Sequence, residues 1–194
     1  MNKQTFTNTT LPDEDFMDGY RFIMLTARGK EGGKKSKPDR IAKRVISKNK
    51  EEFIKLYNDL LAIKKPDERI YSCVNKRDIN KAIRLFKQRQ LDADYYDKES
   101  KTGFYLDIKN RWLSAMMCPQ SRAETKFLID VDNIIGDKSD ISIVDKHLKD
   151  IKVKVLLKYR TKNGWHIITK PFNPALYDSR FGDIHKDALL LLSY

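Results

Sequence analysis

The segment from Lys126 to Asn133, Lys-Phe-Leu-Ile-Asp-Val-Asp-Asn, constrains the fold more tightly than any other. Its apolar, strand-like run is closed by two acids one residue apart. In an extended strand alternate side chains share a face, so Asp130 and Asp132 point one way and Ile129 and Val131 the other. Two like charges on one face repel unless a cation lies between them. The pair therefore offers a seat for Mg²⁺ or Mn²⁺, hard ions that take oxygen ligands, and metal-dependent phosphate chemistry is the first function to test. The plainer reading is a surface turn that happens to carry two acids.

The rest of the chain alternates between strand-like and helix-like periods. Residues 1–18 form a polar arm, and Gly19 to Thr26 reads as a first strand. The basic, glycine-rich stretch from Arg28 to Pro38 follows. It fails as a phosphate-binding P-loop, because three residues rather than four separate Gly29 from Gly33. Two readings stay open for it: a solvated loop whose Arg28, Lys34 and Lys35 track a nucleic-acid backbone, or a plain linker. From Lys50 to Lys64 the apolar set Phe53, Ile54, Tyr57, Leu60 and Leu61 has helical spacing. Asn49 is its expected cap, and Glu51 and Glu52 sit where the helix dipole favours acids.

Arg69–Val74 reads as a strand and Ile79, Ala82, Ile83 and Phe86 as a second amphipathic helix. Arg111–Met117 is apolar and of undecided type, and Ser142–Leu148 is a short helix. Lys152–Lys158 and Trp165–Lys170 are strands joined at Lys162-Asn163-Gly164, a hairpin signal that makes them antiparallel. Ala188–Leu192 closes a core as a strand or a short helix. These elements predict an α+β domain over 19–194, with a division into lobes 19–110 and 111–194 left open.

Composition narrows the partners. With 39 Lys and Arg against 27 Asp and Glu, the net charge of +12 attracts polyanions, of which nucleic acid is the commonest partner of a basic domain. Lysine-heavy coding is the bland explanation. Cys73 and Cys118 are far apart and unaccompanied by paired histidines, so neither a zinc site nor a disulfide framework is expected, and a reducing compartment fits. The first residues lack the apolar run of a secretion signal and no stretch is long enough to cross a bilayer, so a cytoplasmic protein without a membrane partner is expected.

If the strand carrying His166 lies beside that of Asp130 and Asp132, the imidazole and both carboxylates converge on one sheet surface, about 5 Å apart per strand step. His166 would then contact the phosphates of a nucleotide, with Arg160, Lys162 and Lys170 adding positive charge. This combination, Asp130-x-Asp132 on a strand and Gly164-Trp165-His166 on a hairpin, resembles the catalytic core of the archaeo-eukaryotic primase superfamily, which includes primase-polymerases of viruses and mobile elements. The likeness runs from Cys118 to Tyr194.

It implies an RRM-like mixed or antiparallel sheet with flanking helices. It also implies a metal site on Asp130, Asp132 and a later acid, for which Asp187 matches best and Asp183 second, and nucleoside triphosphates with a single-stranded template as substrates. The zinc ligands and fused helicase that often accompany such cores are not seen in the sequence, so the chain reads as a minimal core that acts alone or with a separate helicase or replication partner. If the chain is viral, its compartment is the host cytoplasm.

Several candidates have simpler readings. Trp165 can stack a base or pack a hairpin. Arg77 and Arg122 can grip phosphate or face water, and Asn75-Lys76-Arg77-Asp78 reads as a helix-start turn. His147 and His185 are surface residues, with a reserve for His185 near Asp187. The rival functions are a non-catalytic, basic nucleic-acid-binding protein serving as an accessory or counter-defence factor, and a metal-dependent nuclease using the same acids.

Overall fold

The computed structural model describes residues 19–27, 40–96, 105–132, 141–161 and 164–193. Among these the chain is mixed α+β, with four α-helices and two four-stranded antiparallel sheets. It divides into two compact units, Met1–Glu124 with Leu189–Tyr194, and Thr125–Ala188.

In the first unit the strands are β1 (Arg21–Ala27), β2 (Arg40–Ser47), β3 (Glu68–Cys73) and β8 (Leu189–Ser193), in the order β2-β1-β3-β8. β1 is central, and Phe22 to Leu25 are all buried. Helix α1 (Lys50–Ile63) starts as its sequence predicts. The Asn49 side chain accepts from the Glu52 amide, and the Glu52 carboxylate accepts in return from the Lys48 amide, a reciprocal arrangement that satisfies two amides at the helix entry. Its buried residues Phe53, Tyr57 and Leu60 follow the three- and four-residue spacing that reads as one face.

Helices α2 (Ile79–Tyr96) and α3 (Ile108–Met117) meet through Phe86 and Trp112, edge to face at 5.8 Å. The undecided segment around Arg111 is thus helical. The units part at Glu124 rather than near residue 110, because α3 packs on α2 and the final apolar run, a strand, pairs with β3.

The second unit runs β4 (Phe127–Asp132), α4 (Ile141–Asp150), β5 (Val155–Arg160), β6 (Gly164–Thr169), two short 3₁₀ turns at Pro174–Leu176 and Ser179–Phe181, and β7 (Asp183–His185). Its strand order is β5-β6-β4-β7, every pair antiparallel. α4 buries Val144 and Leu148 against Ile129, Val131 and Ile167, with Tyr177 completing the cluster. One face of the sheet is thereby committed to the core. His147 on α4 packs beside Tyr177 and Phe181 of the crossover from β6 to β7, and its Nε2 accepts from the Asp178 amide at 3.1 Å, so this histidine is a structural clip. No helix among the described residues is long and apolar enough to cross a membrane.

Candidate active site

Because opposite residues of an antiparallel pair share a face, the registers of the second sheet decide what gathers beside Asp130. Tyr159 lies opposite His166, His166 opposite Asp130, and Asp130 opposite Asp183. These four side chains form one row across all four strands, on the face away from α4. Asp132 and His185 belong to the same face by strand alternation. Accessibility changes along β4: Leu128 is buried, the Asp130 side chain is 34% exposed, and Asp132 is exposed. Asp183 and His185 are exposed as well.

Two glycines let the neighbouring strands approach the acidic end of β4. A Cβ on Gly164 would lie 1.8 Å from the Val131 carbonyl oxygen, and one on Gly182 would lie 2.2 Å from that of Asp130. Gly182 also has φ +138°, a backbone conformation that a side chain would strain. The glycine before Trp165-His166 is therefore a packing requirement of the acidic strand, and Gly182 performs the same service for Asp183.

The imidazole is held from both sides. Its Nε2 is 3.2 Å from Asp130 Oδ1, and its Nδ1 is 2.7 Å from the Tyr159 hydroxyl. The hydrogen bond from His166 holds the Asp130 carboxyl below its ordinary pKa, outweighing the opposing effect of partial burial, while the charges of His166 and His185 act in the same direction. Asp130 is thus kept as an anion, the form that binds cations.

The other expected site residues distribute as follows. Asp187 lies in the turn beyond β7 and is not in the row, whereas Asp183, the second candidate, is. Arg160 is opposite Trp165, on the α4 side of the sheet. Lys170 follows the end of β6, four residues from His166 and hence about 13 Å along the strand. Trp165 packs against the core under α4, with Lys158 Nζ 5.7 Å from its ring centre and also 2.5 Å from Asp145 Oδ2.

Arg77, expected on a phosphate-gripping surface, is only 1% exposed. It donates to the Cys118 carbonyl and lies 5.3 Å from the centre of the Phe22 ring. Its aliphatic stem and delocalised charge suit this interior post, which pins the chain between β3 and α2. Arg122 forms an isolated bridge with Arg77 and donates to the Pro119 carbonyl. Arg28, Lys34, Lys35 and Lys162 lie outside the described residues.

Tyr159 is the site residue that motif reading missed. The register of β5 with β6 sets Arg160 opposite Trp165 and Tyr159 opposite His166, a pairing local to the hairpin that the sequence predicts. Thr161 and Gly164 continue it, the Thr161 amide donating to the Gly164 carbonyl and the Gly164 amide to Thr161 Oγ1.

Among the described residues no group of three or more His, Cys, Asp and Glu side chains is drawn together as a metal cage. A Mg²⁺ site does not need one, since this ion is usually held by one or two carboxylates with water and substrate phosphates completing its octahedron. Ionised Asp130 and exposed Asp132, on one face of one strand, fit that role. No protein-family model matches the chain, and no curated protein or solved structure is significantly similar to it.

Proposed function

We propose that this protein is a metal-dependent nucleotidyltransferase of primase-polymerase type, which extends a 3′ hydroxyl along a single-stranded template with nucleoside triphosphates. The observation that carries the reading is the register of Asp130 with His166 on one side and Asp183 on the other, beside Asp132. The connectivity agrees with it. A strand, a crossover helix and a hairpin returning to the first strand, in the order β5-β6-β4-β7, make the split βαβ arrangement of RRM-like sheets. The second helix of that plan is replaced here by the two 3₁₀ turns. The excess of basic residues suits a polyanionic template.

In this reading Asp130 and Asp132 would hold Mg²⁺ or Mn²⁺, with Asp183 as the further carboxylate. When bound, the ion would supply Lewis-acid polarisation of the α-phosphate and would lower the pKa of the attacking hydroxyl. His166 donates from Nε2 to a phosphate oxygen of the incoming nucleotide, and the glycines keep the three strands close enough for these groups to act on one substrate.

Incubation of the protein with primed and unprimed templates, each nucleotide set, and Mg²⁺ or Mn²⁺ tests the proposal on a sequencing gel. Strand growth that disappears in the Asp130→Asn, Asp132→Asn double variant is the expected result. Salt-sensitive binding without turnover would point to the accessory role instead, and metal-dependent shortening to a nuclease.

A further inference from the structure

Both ring nitrogens of His166 are engaged, and the identity of the partners decides which nitrogen carries hydrogen. Asp130 is an anion with acceptors only, so the Nε2 facing it at 3.2 Å must be protonated; a bare Nε2 would set two lone pairs against each other. When the ring is neutral, Nδ1 is then the acceptor, and the Tyr159 hydroxyl 2.7 Å away donates to it. The two rings are nearly perpendicular, at 81° and 5.3 Å between centres.

From this we infer that Tyr159 is a positioning residue. It keeps His166 as an Nε2–H donor, suited to a phosphate oxygen and unable to ligate a cation through that nitrogen, when Asp130 turns to another partner. The inference rests on the proposed nucleotidyl-transfer site. A divalent cation held by Asp130 would compete with His166 for the carboxylate that otherwise enforces this tautomer. The Tyr159 hydroxyl, which donates more readily than it accepts, would then favour a hydrogen-bond donor aimed at the triphosphate over a lone pair aimed at the metal. Its place on β5, opposite His166 in a short hairpin, makes it a rigid support for that task.

The test separates the tautomer from the activity. Asp130→Ala mimics withdrawal of the carboxylate without any metal or nucleotide. Nitrogen-15 shifts of the neutral His166 ring should report a single Nε2–H tautomer both in the parent protein and in Asp130→Ala. Adding Tyr159→Phe to Asp130→Ala should relax the ring to a mixture. In the extension assay Tyr159→Phe alone should raise the nucleotide KM about threefold to tenfold, the effect of one lost hydrogen bond, with kcat changing less.

A mixed or Nδ1–H ring in Asp130→Ala with Tyr159 intact overturns the inference, and so does a double variant that keeps the single tautomer. The parent spectrum is a second check, because a protonated Nδ1 in the neutral ring would reverse the assigned hydrogen bond. If the spectra follow the expected pattern while no nucleotide is incorporated under any condition, the positioning role stands and the polymerase reading falls.

Discussion

The two faces of the second sheet are made by the same strands and have opposite duties. Toward α4, Ile129, Val131 and Ile167 are fully buried and Trp165 and Ile184 pack beside them. Away from α4, the same strands align Tyr159, His166, Asp130 and Asp183. The strand's period of two sorts the residues, so neighbours in sequence such as Ile129 and Asp130 stabilise and serve in turn. A row of polar side chains thus needs no loop of its own: a sheet whose rear face is packed makes a rigid mount for it.

Substitution on either side should break the two duties separately. Ile129→Ala should cost about 2–5 kcal/mol in urea unfolding, through lost burial and the cavity it leaves, whereas Asp130→Asn one residue on should change stability far less while eliminating extension. Equal destabilisation by the two would show that the front face is also core.

The next largest contrast concerns the third acid. Asp183→Asn should lower extension about tenfold or more, and Asp187→Asn should leave it within about twofold, in parallel assays at saturating metal. The reverse ranking would move the site toward the turn after β7.

A smaller effect follows from the His166 hydrogen bond. Because Asp130 has a lowered folded-state pKa, the bond's contribution is complete above the unfolded carboxyl pKa of about 4 and is lost as pH falls through the folded value. Urea midpoints measured from neutral to acid pH should therefore fall less steeply below about pH 4 in Asp130→Asn than in the parent. An unchanged acid limb would mean that the pair adds nothing to folding.

The smallest expected effect sharpens the rear face. Trp165→Leu should weaken binding to a single-stranded oligonucleotide by less than about fivefold, the least that loss of one stacked base would cause. A greater loss in a fluorescence anisotropy titration would return Trp165 to the nucleic-acid surface.

The elements with strong periodicity were legible before any coordinates. α1 with its Asn49 cap and the acidic strand lie where their patterns predict, and the β5–β6 hairpin forms with its first strand at Val155–Arg160 rather than Lys152–Lys158. β2 was not foreseen. Arg40, Lys43 and Arg44 interrupt its alternation, as charged residues do on a strand that occupies a sheet edge, and its partnership with β1 supplies what local pattern lacks. Arg77 misled for the opposite reason: charge in a sequence suggests water, while a guanidinium can be buried wherever carbonyls and a ring receive it.

The amino-acid sequence alone determined which side chains share a face of each strand, because alternation and hairpin turns are local properties of the backbone. It thus paired Asp130 with Asp132 and separated His166 from Trp165. Only the tertiary structure decided which strands lie side by side and in what register, since long-range pairing depends on the combined packing of β4, β6, β7 and α4. That pairing set His166 and Asp183 on either side of Asp130 and left Asp187 outside the row.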